Sequence, residues 1–140
     1  MKVIIAGSRD ITDMALVEHA IRESRFRISE VVCGMARGVD ALGKEWAEDR
    51  NIPVMPFHAD WSVHGKAAGY KRNSAMAEYA DALIAVWDGR SKGTRNMIYL
   101  ARKHKLRVYV LNLERERKRN PPRNGSRPRG PSIFDDLEAA

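Results

Sequence analysis

The residues with the clearest chemistry lie in the run Ala85-Val86-Trp87-Asp88-Gly89-Arg90-Ser91-Lys92-Gly93-Thr94-Arg95-Asn96-Met97. An apolar segment ends, a loop rich in glycine and cations follows, and a helical pattern opens at Gly93-Thr94. Strand, loop and helix in that order bring backbone N–H groups, the hydroxyls of Ser91 and Thr94, and the cations Arg90 and Lys92 to a positive helix N-terminus. A phosphate is stabilised at such a place. Gly93 lets an anion approach the backbone closely. Asp88 suits a ribose hydroxyl or the shaping of the turn. The loop lacks the Gly-Lys-Ser/Thr ending of a Walker sequence, so it carries no sign of ATP hydrolysis.

Three other stretches have similar chemistry. Gly7-Ser8-Arg9-Asp10 offers a close backbone approach, a hydroxyl and a guanidinium fork that binds two oxygens at once. It is not the Gly-x-Gly-x-x-Gly fingerprint of dinucleotide folds. Gly34-Met35-Ala36-Arg37-Gly38-Val39-Asp40 brackets Arg37 with Gly34 and Gly38 ahead of a helix. Arg37 can reach an anion. Asp40 falls in the first helical turn, where the dipole favours a carboxylate, so helix stabilisation and ligand contact both explain it. The third stretch holds Asp60, Trp61, His64, Gly65, Lys66 and Gly69, then Lys71-Arg72-Asn73. Trp61 suits stacking on a base or covering the core edge. Arg72 and Asn73 suit phosphate and polar base or ribose groups. His58 and His64 have no carboxylate at ligand spacing, and no metal site is expected.

These loops need a frame that gathers them. Lys2–Ala6, Glu30–Cys33, Pro53–Phe57, Ala82–Trp87 and Arg107–Leu111 read as strands, apolar along most of their length. Helical patterns separate them: one capped by Thr12 or Asp13 and running to Arg25, one after Asp40 to Arg50, one from Gly69 or Tyr70 to Tyr79, and one from Gly93 to His104. The span from His58 to Ala68 reads as the longest irregular segment. Continuously apolar strands alternating with helices predict a parallel sheet covered on both faces. The expected fold is a Rossmann-like three-layer α/β/α domain with strand order 3-2-1-4-5. The loops after strands 1 to 4 then converge at the carboxyl edge, beside the switch between strands 1 and 4.

The chain has 140 residues, 44% hydrophobic and 31% charged, with 25 Lys/Arg against 18 Asp/Glu. The net charge of +7 favours an anionic partner: a nucleotide, a nucleic acid or an acidic surface. The single cysteine, Cys33, excludes an internal disulfide. No apolar run approaches the roughly 20 residues that span a bilayer, so no membrane partner is expected and a cytoplasmic location is. Residues 1–113 form the expected nucleotide-binding domain. Residues 114–140 read as a basic, largely disordered tail with a short helix at 132–139.

The motifs resemble known families. Gly34-Met35-Ala36-Arg37-Gly38-Val39-Asp40 is similar to the Gly-x-Ala-Arg-Gly-Ile-Asp motif of the DNA-processing protein A family. Arg72-Asn73-x-x-Met76, Ala80-Asp81-Ala82-Leu83-Ile84-Ala85 and Gly93-Thr94 resemble elements of the Lonely Guy phosphoribohydrolases. Both families belong to the SLOG superfamily. Gly7-Ser8-Arg9, Ala59-Asp60-Trp61, Gly65-Lys66-x-Ala68-Gly69 and Trp87-Asp88-Gly89-x-Ser91-x-Gly93-Thr94 together look most like its YspA-related branch, found in bacteria and phages. The resemblance covers residues 1–111.

The resemblance implies a pocket for a nucleotide or nucleotide derivative, ADP-ribose-like or a nucleoside phosphate, with Gly93-Thr94 on its phosphate. The protein would then be a sensor or accessory protein, needing no further cofactor. Arg72 matches the arginine that serves N-glycosidic cleavage in the hydrolases, but Met97 stands where they carry glutamate. Cleavage of a nucleoside 5′-monophosphate is the alternative, and DNA binding through the basic tail is another. Relatives self-associate, and a homo-oligomer stays open.

Overall fold

The computed structural model describes residues 1–119. A five-stranded sheet forms from β1 (Lys2–Gly7), β2 (Glu30–Cys33), β3 (Val54–Pro56), β4 (Ala82–Trp87) and β5 (Arg107–Asn112). Its order is β3-β2-β1-β4-β5, and every pairing is parallel. The expected strand order and Rossmann-like architecture are therefore present. The central β1–β4 pair sets Ile5 opposite Ile84 and Gly7 opposite Val86.

Successive side chains of a strand point to opposite faces. Val3 and Ile5 of β1, with Ile84 and Val86 of β4, pack with Val17, Ala20, Val39 and Trp46. Those four residues come from α1 (Met14–Ser24) and α2 (Val39–Asp49). Ile4 and Ala6, with Leu83 and Ala85, pack against Met76, Ala77, Met97 and Ala101. These belong to α4 (Ala68–Tyr79) and α5 (Lys92–Lys103). Val3, Ile4 and Ile5 are fully buried, which explains why β1 shows no polar alternation.

Of the two candidate caps for α1, Asp13 is the cap: its carboxylate accepts the Ala15 N–H at 3.0 Å. Arg25, in the left-handed conformation at φ 59°, ends the helix.

Two expectations need correction. The segment His58–Ala68 is not irregular. It contains α3 (Trp61–His64) and a 3₁₀ turn over Gly65–Ala67, and α4 opens directly at Ala68. Asp60 starts α3 by accepting the Val63 N–H at 3.2 Å and the Ser62 hydroxyl at 2.7 Å. None of the four α3 residues is buried, so no apolar period marked it. The second correction concerns the tail, whose first residues are ordered as α6 (Leu113–Arg119). Asn112 Oδ1 accepts the Arg115 N–H at 3.1 Å, and Glu114 pairs with Lys118 at 3.4 Å, one turn on. The proposed helix at 132–139 lies outside the described residues.

Candidate functional site

The carboxyl ends of β1, β2 and β4 and the N-terminal turns of α2, α4 and α5 meet around two adjoining cavities. The narrow one, about 60 Å³, is bordered by Gly7 and Arg9 from the β1 loop and by Asp40 from α2. Arg72 and Asn73 of α4 close it on a third side, and Ser91, Gly93 and Thr94 on the fourth. Met76 and Met97, both 1% exposed, also border it. The wide cavity, about 350 Å³, is lined by Gly34, Arg37 and Trp61, with Met35, His58 and Ala59. Arg9, Ala36 and Arg72 border both.

The loops are locked together by contacts that only small residues permit. A Cβ on Gly7 would lie 2.0 Å from the Val86 carbonyl oxygen. Gly38 has φ +75°, and a Cβ there would lie 2.4 Å from the Ser8 carbonyl oxygen. Ser8 is buried, and its hydroxyl accepts the Asp88 N–H at 3.0 Å. The carboxylate of Asp88 in turn accepts the N–H groups of Arg90 and Ser91, both at 2.8 Å. Burial pushes the Asp88 carboxyl up, but the bonds from Ser91 and Arg90 outweigh it and hold the pKa below the ordinary value. Gly7, Ser8, Gly38 and Asp88 thus shape the loops.

Helix α5 begins at Ser91 with no side chain capping its N-terminus; the Ser91 and Thr94 hydroxyls lie 3.2 Å apart. Nothing stands within 4 Å of where a Cβ on Gly93 would project. An uncapped helix start beside open space is suited to an anion. Asn73 fixes this turn to α4 by donating to the Gly93 carbonyl at 3.2 Å and to Asn96 Oδ1 at 3.0 Å.

Arg72 and Asp40 set the electrostatics. Arg72 Nη1 donates to the Gly34 carbonyl at 2.8 Å, while its Nε is buried without a partner. Burial lowers the Arg72 pKa; Asp40 opposes that shift, and the Arg9 charge adds to it. Asp40 is 4% exposed. Burial raises its pKa to about 6, against the pull of Arg72 and of the N–H bonds from Ala36 and Gly7. Burial likewise raises the Cys33 thiol, which has Asp40 as a neighbour. Arg37, by contrast, is exposed and pairs loosely with Asp10 at 3.6 Å.

Asp60 lines neither cavity; it caps α3. Trp61, expected on a loop, is the first residue of α3 and stands 52% exposed at the wide cavity. His58, which the sequence offers only as a metal-ligand candidate with His64, is a wall of the wide cavity. Its position just past β3, at the same carboxyl edge, was the available signal. Asn96, the partner of Asn73, had no signal. No group of three or more His, Cys, Asp or Glu side chains among the described residues could hold a metal ion. No helix among them is long and apolar enough to cross a membrane.

A parallel sheet in this order, with a crevice at the switch between β1 and β4, defines a Rossmann-like α/β architecture. The model of the YspA, cpYpsA-related SLOG family matches residues 1–64. The gene 61 protein of Mycobacterium phage D29 is 38% identical over 111 residues, covering 73% of this chain and 89% of that protein. The chain belongs to the YspA, cpYpsA-related SLOG family. DNA processing protein A (DprA) from Streptococcus pneumoniae has the same fold at a TM-score of 0.60 and 16% identity, over 78% of this chain. The chain spans about half of that protein's length, 49%.

Proposed function

We propose that the crevice binds a nucleotide or nucleotide derivative and that the protein acts as a sensor or accessory protein. One observation carries this reading: Arg9, Arg72 and the uncapped start of α5 at Ser91–Thr94 border a single cavity. Guanidinium forks and helix-start amides are two independent ways to hold phosphate oxygens. The bond to Gly34 holds Arg72 in place before a ligand arrives, which lowers the ordering cost of binding.

Calorimetry of the full chain against a panel of nucleoside phosphates and ADP-ribose tests the reading. Gly93→Asp puts a carboxylate into open space and is expected to abolish binding while leaving the circular dichroism unchanged. Arg72→Ala should also abolish it. A folded wild type that binds nothing on the panel rejects the proposal.

A second reading, cleavage of the N-glycosidic bond of a nucleoside 5′-monophosphate, gains support from Asp40. Asp10 pairs with Arg37, Asp60 caps α3 and Asp88 braces a turn; the carboxylate lining the described cavities is Asp40. A carboxyl with a pKa of about 6 suits proton transfer near neutral pH. It would protonate the departing base as the C1′–N bond breaks. Water would add its oxygen to C1′ and return a proton to Asp40. Free base and ribose 5-phosphate, lost in Asp40→Asn, are the expected products; no turnover by the wild type removes this reading.

A further inference from the structure

The two cavities differ in size and charge, and their difference bears on the ligand. In the narrow cavity of about 60 Å³, the Asp40 carboxylate accompanies Arg9 and Arg72. One water needs about 10–15 Å³ on this scale. The space is of the size that a phosphate group fills, and it adjoins the wide cavity at Arg9 and Arg72. The wide cavity, about 350 Å³, has Arg9, Arg37 and Arg72 on its walls and no carboxylate among its lining residues. A neutral base does not call for three guanidiniums. Cations gathered around one space repel one another until an anion enters. Arg37 is held only by an exposed pair with Asp10 at 3.6 Å, a contact that a phosphate can displace. Trp61 stands on the same cavity with 52% of its surface open, at the first residue of α3. Exposed tryptophan beside arginine is the pairing that a phosphate with an attached base would fit. Arg9 and Arg72 border both spaces, so one ligand can run through from one to the other.

We propose that the wide cavity is a second phosphate subsite with Trp61 as a stacking wall, so that the ligand is a dinucleotide with phosphates in both cavities. The inference rests on the nucleotide reading above and names the ligand class for the same crevice. Arg37 and Trp61 serve the second unit; Arg72, at the neck, serves both.

The experiment compares adenosine 5′-monophosphate with two dinucleotides on the full chain by calorimetry. One is a 5′-phosphorylated, 3′,5′-linked adenosine dinucleotide, and the other joins two adenosines through a pyrophosphate. At least one dinucleotide is expected to bind about 10-fold or more tighter than the monophosphate, and the one that does identifies the linkage. Arg37→Ala should remove most of that advantage and leave the monophosphate affinity unchanged, and Trp61→Ala should weaken the dinucleotide by a similar factor. Both positions are exposed, and circular dichroism checks the fold. Equal affinity for all three ligands overturns the second subsite, as does an advantage that survives both substitutions. If a folded protein binds none of the three while another nucleotide of the wider panel binds, the dinucleotide inference fails and the nucleotide reading stands. If nothing on the wider panel binds, the nucleotide reading itself fails.

Discussion

Arg72 on α4 donates through Nη1 to the carbonyl of Gly34 at 2.8 Å, across 38 residues of sequence. The same guanidinium faces the charge of Asp40, and its Nε lies against the space where a Gly34 side chain would stand. One arginine thereby ties α4, the helix of the β3–β4 crossover, to the loop after β2. It is held by the backbone, not by a full ion pair, and its charge stays available at the junction of two cavities.

Gly34→Ala tests that arrangement. The new Cβ would meet Asp40 Oδ2 at 2.8 Å and Arg72 Nε at 3.1 Å. Both are side-chain atoms in a packed environment, so relief requires the two to move together. Overpacking of this kind costs about 1–3 kcal/mol. Urea unfolding should register that loss, and nucleotide affinity should fall by about 10-fold or more because Arg72 is displaced. Unchanged affinity would mean that the position of Arg72 does not matter to the ligand.

Ser8→Ala separates a loop-shaping role from a ligand-binding one. Ser8 is 2% exposed, and its hydroxyl accepts the Asp88 N–H at 3.0 Å. Removing the acceptor strands a donor, which costs about 1–3 kcal/mol. The hydroxyl also helps to hold the Asp88 carboxyl low, so that carboxyl should titrate at a higher pH in the variant. NMR titration of Asp88 together with denaturant unfolding checks both effects. A variant with wild-type stability and weakened ligand binding would instead make Ser8 a ligand contact.

The parts of this molecule that were legible in sequence are those written in local pattern. β4 is legible to the residue because Ala82–Trp87 is an unbroken apolar run, and burial on both faces of the sheet demands one. The parallel sheet is legible in the alternation of strands and helices, and its order is the doubly wound one with a switch between strands 1 and 4. α3 was not legible, because four exposed residues started by one aspartate leave no period. α6 was obscured for another reason: charge-rich composition reads as disorder, while pairs such as Glu114–Lys118 one turn apart favour a helix. Arg9, Asp40, Arg72 and Gly93 border one crevice, as loops gathered at one sheet edge allow. That gathering does not show that Asp60 turns to its own helix or that Asn73 spans to Asn96, since both depend on side-chain direction at the end of an element.

Asp40 gives the protein a pH dependence opposite to that of an ordinary paired carboxylate. Its pKa rises from 3.8 to about 6, chiefly through burial, although Arg72 and Arg9 pull it down. A raised value in the folded state means that the fold holds this proton more tightly than the unfolded chain does. The stability from that proton is full below pH 3.8 and is lost as pH rises through about 6. The difference of 2.2 units corresponds to about 3 kcal/mol as an order of magnitude. Asp60 and Asp88, held low by accepted hydrogen bonds, act in the other direction and mask this in the wild type alone. Comparison with Asp40→Asn isolates it. The variant should gain about 2.4 kcal/mol relative to wild type between pH 4 and pH 7.5 in urea unfolding, because the unfolded carboxyl is already partly ionised at pH 4. The same proton removes a negative charge beside Arg72, so a phosphodiester, which does not titrate in this range, should bind the wild type more tightly below pH 6 than above it. A stability difference that stays constant across that pH range would place the Asp40 pKa near its ordinary value and remove it as a proton-transfer group.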